Sequence, residues 1–177
     1  MPRYIVDGGY GVGIDVSTVA LSYNTRELRE GPTSWEALWD HGQKGKVSVP
    51  SIIGTHGLNL VVIAAALETG KPFQEAQYET DAAFKKLAEL KPNVHSVFTK
   101  NALIRAAMQQ GELAMLGPFY ASTIWPCIDE GLPAKHIIPK EGAFAGLGCQ
   151  TLVKGGPYPE LGAVFSNEVL SPRCKRC

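Results

Sequence analysis

Residues 46–69 read KVSVPSIIGTHGLNLVVIAAALET, from Lys46 to Thr69. Val47 and Val49 alternate with polar neighbours, the pattern of a short strand, and Pro50 closes it because proline has no N–H to give to a ladder. Gly54-Thr55-His56-Gly57 then leads into Leu58–Thr69, which is apolar on nearly every face and so predicts a buried helix. A strand that passes into a buried helix is the repeating unit of an α/β fold.

The pattern continues in both directions. Towards the N-terminus, Val12 to Tyr23 is β-branched and alternating, predicting one strand or two with a bend at Asp15-Val16-Ser17. Thr33-Ser34-Trp35-Glu36 predicts a short helix capped by Ser34 or Thr33, with Trp35 and Trp39 four apart on one face as a structural clamp. Towards the C-terminus, Thr80 caps a helix whose Phe84, Leu87 and Ala88 share a face and which ends at Lys91-Pro92. Val94–Phe98 is a strand. A helix from Thr99 or Asn101, with Leu103, Ala107 and Met108 aligned, stops at Gly111. Leu113–Leu116 is an apolar strand before a Gly117-Pro118 turn, and a helix carrying Ile124 and Ile128 ends at Gly131. His136–Pro139 and Gly148–Val153 predict two further strands. Pro159 opens a last helix with Leu161, Phe165 and Val169 expected inward. The fold class is therefore α/β: a mixed sheet with helices on both faces.

Composition removes several classes of function. Seventeen basic residues balance seventeen acidic ones among 177, so no electrostatic footprint for nucleic acid or an anionic membrane exists. The longest apolar run, Leu58 to Leu67, is interrupted by Asn59 and too short to cross a bilayer. Met1 to Asp7 lacks the apolar stretch of a secretory signal, which predicts a cytoplasmic chain if these residues are the whole protein. Cys174-Lys175-Arg176-Cys177 is a C-x-x-C pair without a second ligand pair, so it reads as a tail with no metal role.

Enzyme signatures are missing too. There is no Gly-x-Ser-x-Gly elbow, no phosphate-binding Gly-x-x-x-x-Gly-Lys and no His-Glu-x-x-His helix. The glycine-rich Gly8–Gly13 precedes a strand, where a dinucleotide fingerprint follows one. Histidines 41, 56, 95 and 136 are dispersed. No catalytic residue, cofactor or metal site is expected.

Three groups of residues carry a family resemblance. Ala20–Thr25 with Pro32–Asp40 and Lys44–Val49 resembles the block entering the second lobe of family 1 extracellular solute-binding proteins of ABC importers, nearest the spermidine/putrescine-binding branch. Gly111-Glu112-Leu113-Ala114-Met115 is similar to the strand that precedes a cleft-lining loop there. Pro139-Lys140-Glu141-Gly142-Ala143, with Thr151-Leu152-Val153 and Asn167–Pro172, resembles the return crossing and its helix. The resemblance implies a periplasmic-binding-protein-like (type II) lobe. Residues 1–14 would be a crossover from a first lobe whose N-terminal segment is missing, 15–138 the second lobe, 139–172 a return into the first lobe and 173–177 a tail.

It also implies a function: capture of a small organic solute, polyamine- or amino-acid-like, without catalysis, as a periplasmic component that delivers to an ABC transporter permease. A homo-oligomer is expected to cover exposed lobe surface. The alternatives are a stand-alone sensing or interaction module on the same fold, and a small enzyme with a dispersed site. Site positions implied by the resemblance are Asp15, Ser17 and Thr18 at the first crossing, Thr55 and His56 at the buried helix, Phe119 and Tyr120 after the apolar strand, and Gln150 after the return. Asp15 is the acidic partner for a cationic solute. The chain departs from the polyamine branch in two places: Ala143–Gln150 lacks its Trp and Asp, and Phe119 stands where Trp is expected.

Overall fold

The structure, a computed structural model, describes residues 11–99 and 102–171, with only the backbone of Ala102 and Leu103. The expectations for Asn101, the Leu103 side chain, Gly8 to Tyr10, Pro172, the tail and the Cys174–Cys177 pair lie outside the described residues. Thr18–Phe144 forms one compact unit; the described residues up to Ser17 and from Ala145 form another.

The larger unit is built on the sheet order β3-β2-β4-β1-β5, with β1 at Val12–Asn24, β2 at Val47–Pro50, β3 at Val94–Phe98, β4 at Met115–Tyr120 and β5 at Ala134–Ile137. β2 runs parallel to both β3 and β4, whereas β1 is antiparallel to β4 and β5. The sheet is mixed, as expected. Its helices are α1 (Thr55–Thr69), α2 (Phe73–Ala76), α3 (Thr80–Leu90), α4 (Ala102–Gln109) and α5 (Ala121–Asp129).

Successive residues of β4 show why both faces are covered. Met115 joins a core with Trp35, Leu38, Leu60, Ile63 and Leu90, while Leu116 joins another with Ile104, Met108, Ile124 and Leu132. Side chains alternate across a strand, so α1 and α3 cover one face and α4 and α5 the other. The two polar residues buried on β1 and β2 are satisfied: Asn24 donates to the carbonyls of Met108 and Leu113, and Ser48 pairs with Ser96.

Several local expectations need correction. Gly117-Pro118 is not a turn; it lies inside β4, where pairing with β1 resumes at Ala20↔Phe119 beyond a register shift. An irregularity in the ladder is where a strand tolerates a proline. The segment Trp35–Trp39 is a 3-10 turn capped by Ser34, with three residues per turn, so its tryptophans do not share a face. Trp35 donates to Gly142 O and Trp39 to Lys86 O. Phe84 is exposed, because α1 and α3 meet through Ala64, Ala65, Ala66 and Ala83, a contact too close to hold a phenyl ring.

In the smaller unit, β6 (Phe144–Gln150) pairs with β1, and α6 (Pro159–Leu170) follows. β6 starts four residues before the expected Gly148 and ends before Thr151. Leu161 and Phe165 do not face inward: both are exposed, and no residue of α6 is buried. Nothing among the described residues of that unit covers them.

Candidate functional site

The parallel strands β2, β3 and β4 end at one edge of the larger unit, the place where open α/β sheets build their sites. Three loop starts meet there. Pro50-Ser51 leaves β2, Phe98-Thr99 leaves β3, and Tyr120 ends β4 directly before α5. Pro50 pairs with Phe98, and the Ser51 amide donates to Phe98 O at 3.0 Å, which ties the first two ends together. A pocket of ≈ 400 Å³ opens between them, lined by Pro50, Ser51, Ile53, Gly54, His56, Phe98 and Thr99. None of these side chains carries a carboxylate, an ammonium or a guanidinium.

α1 begins at the rim of this pocket. Its N-cap is Gly54, which has no side chain to satisfy the first-turn amides. The positive end of a 15-residue helix therefore faces outward beside Thr55 and His56. Gly57 lets the helix approach the loop: a Cβ there would lie 2.3 Å from Ser51 O.

The His56 ring is packed by aromatics from β4. Tyr120 stands nearly perpendicular to it, with centroids 4.2 Å apart, and Phe119 is stacked at 6.1 Å. Phe119 itself is buried and meets Phe98 edge-on at 5.5 Å. His56 Nε2 is buried without a hydrogen-bond partner. Burial holds this imidazole below the usual range.

Thr18 reaches the same edge, since its neighbour Val19 pairs with Tyr120. His136 on β5 lies close by. Its Nδ1 is 2.9 Å from Ser22 Oγ, Trp125 sits edge-on at 6.4 Å, and its Nε2 is buried without a partner. Burial lowers the pKa of His136, opposed by the backbone of Thr18.

Of the eight expected positions, Thr18, Thr55, His56, Phe119 and Tyr120 fall together on this edge. Asp15, Ser17 and Gln150 belong to the smaller unit. There Asp15 lies against Gly148, where a Cβ would collide with its carboxylate, and Ser17 is buried. Gln150 lines a second pocket of ≈ 380 Å³ with Thr151, Leu152, Ala163, Ser166 and Asn167, and its Oε1 is buried and unpartnered. Sequence reasoning missed Ser51, Phe98, Thr99, Trp125 and His136. The signal for the first three was available: each lies at or just beyond the carboxyl end of a strand that the sequence did predict.

A description of the family of bacterial extracellular solute-binding proteins matches residues 1–173. The chain belongs to that family. Its fold is shared with an ABC transporter protein from Clostridium perfringens ATCC 13124 at 25% identity and TM-score 0.74, covering 97% of this chain and 52% of that one. The periplasmic binding protein AfuA from Actinobacillus pleuropneumoniae, solved with fructose-6-phosphate bound, matches at 19% identity and TM-score 0.71 over 93% of this chain and 50% of its own. The spermidine/putrescine substrate-binding protein PotD from Streptococcus pneumoniae matches at 15% identity and TM-score 0.70, over 94% and 49%. The chain thus spans about half the length of these solved family members. No curated protein matches its sequence.

Proposed function

We propose that this chain supplies the solute-binding wall of an ABC transporter's extracellular binding protein, and that it holds a small organic solute without changing it chemically. Thr18–Phe144 is, on this reading, the second lobe of the family's fold. The observation that carries the proposal is the pocket at the ends of β2, β3 and β4, where an uncapped helix terminus, the hydroxyls of Ser51 and Thr99 and the His56 ring converge over apolar Pro50, Ile53 and Phe98. A mostly apolar concavity with a few convergent polar groups is what small-molecule sites look like.

Between the two solute classes expected from the sequence, the pocket favours an amino-acid-like molecule over a polyamine. Polyamine recognition needs carboxylates to balance each ammonium, and none lines this pocket. A solute carboxylate has a partner in the amides at the start of α1. The partners proposed with this function are the solute and a transporter permease, and the compartment is the extracellular or periplasmic side. A second copy of the chain is a further candidate partner for the exposed apolar side chains of α6. Titration with amino acids and polyamines, read as a shift in melting temperature, tests the solute assignment. Amino acids are expected to raise the midpoint and polyamines to leave it unchanged; no response to any of them at millimolar concentration sinks the proposal. In the same titration Asp15→Asn tests the acidic candidate of the smaller unit.

A further inference from the structure

The geometry points to a fixed tautomer for His56: we infer that Tyr120 holds the ring proton on Nε2, leaving Nδ1 as a hydrogen-bond acceptor for a donor group of the solute. This deepens the solute-binding reading and rests on it. Nε2 is buried and has no oxygen or nitrogen to bond, while the ring of Tyr120 stands almost perpendicular to the imidazole at 4.2 Å between centroids. The face of an aromatic ring is negative. A bare nitrogen lone pair buried against it is repelled, whereas an N–H directed at it is attracted, a contact of about 0.5–1 kcal/mol in comparable weak hydrogen bonds. The stacked Phe119 blocks rotation of the ring away from this arrangement.

In a neutral imidazole with the proton on Nε2, Nδ1 can only accept. Burial keeps the ring neutral, and no charged side chain lines the pocket to change that. The group of the solute that meets His56 is therefore a donor, an ammonium or hydroxyl, and not a carboxylate or phosphate. Tyr120 is a positioning residue: it acts on the solute through His56. A zwitterionic solute satisfies both features at once, its carboxylate at the amides of α1 and its ammonium at Nδ1.

Nitrogen-15 spectra of the histidine rings in the full 177-residue chain at neutral pH test this, with the His56 signals assigned by their loss in His56→Gln. The expected pattern is a protonated Nε2 and a bare Nδ1. Tyr120→Phe, which keeps the ring, should preserve it; Tyr120→Leu should move the proton population towards Nδ1. A dominant Nδ1–H form in the wild type, or a charged ring, overturns the inference even if Tyr120→Leu fails to fold. So does a folded Tyr120→Leu with the wild-type pattern. Glycine as probe should shift the Nδ1 resonance, and sodium acetate at equal ionic strength should not; equal responses, or none to glycine, remove the donor assignment. Melting shifts with amino acids alongside the opposite tautomer would overturn only this inference and spare solute binding.

Discussion

His136 makes the pH dependence of this protein a matter of two rings. It and His56 are both buried enough to be held below the ordinary imidazole value of 6.5. A pKa lowered in the folded state means that the unfolded chain binds more protons in the interval between the two values. Stability is then complete above about pH 6.5 and declines as pH falls towards each folded-state pKa. The decline should be visible as a falling urea midpoint between neutral and mildly acidic pH. His136 accounts for part of it, since its only side-chain hydrogen bond is to Ser22 and no ion pair of His136 exists among the described residues. His136→Asn is expected to flatten the slope at the cost of some stability at neutral pH. An unchanged slope would place the titration elsewhere.

At the scale of elements, the pocket depends on how closely α1 approaches the end of β2. Gly57 makes that possible, because any side chain there would run into the backbone of Ser51 and Ile52, which cannot rotate away as a flexible side chain can. Gly57→Ala should destabilise the protein by about 1–3 kcal/mol, the usual cost of overpacking. It should also weaken solute binding, since Ser51 and His56 line the same pocket. A variant with wild-type melting temperature would show that the loop yields without cost. The same junction shows what the sequence could reveal. The strand 47–49 and the helix after it were legible because each has a strong apolar period of its own. Phe84 and the tryptophan pair misled because periodicity says which residues align on an ideal helix and not how near the neighbouring element comes. α1 and α3 pack alanine to alanine, and Trp35–Trp39 winds as a 3-10 turn. His56, Tyr120 and Phe119 were identified singly, but their mutual packing joins residues more than sixty positions apart, which no local pattern encodes.

The whole molecule divides its stability unevenly. The larger unit has a core on each side of its sheet, with Trp35, Leu21, Leu116 and Met108 fully buried. In the smaller unit, α6 buries none of its side chains and leaves Leu161, Val164 and Phe165 open. Helices draw most of their stability from an apolar face packed on something, and twelve residues are marginal alone. Amide exchange should therefore separate the two units. The amides of α1 are expected to exchange only through global unfolding, and those of α6 through local opening at far lower free energy. Mass-spectrometric hydrogen exchange on the chain as it stands reads the difference directly, peptide by peptide. Protection in α6 equal to that in α1 would mean that something covers Leu161 and Phe165 in solution. Dilution then identifies whether that cover is a second copy: protection that falls with protein concentration requires self-association through this helix, and protection independent of concentration requires cover from within the chain.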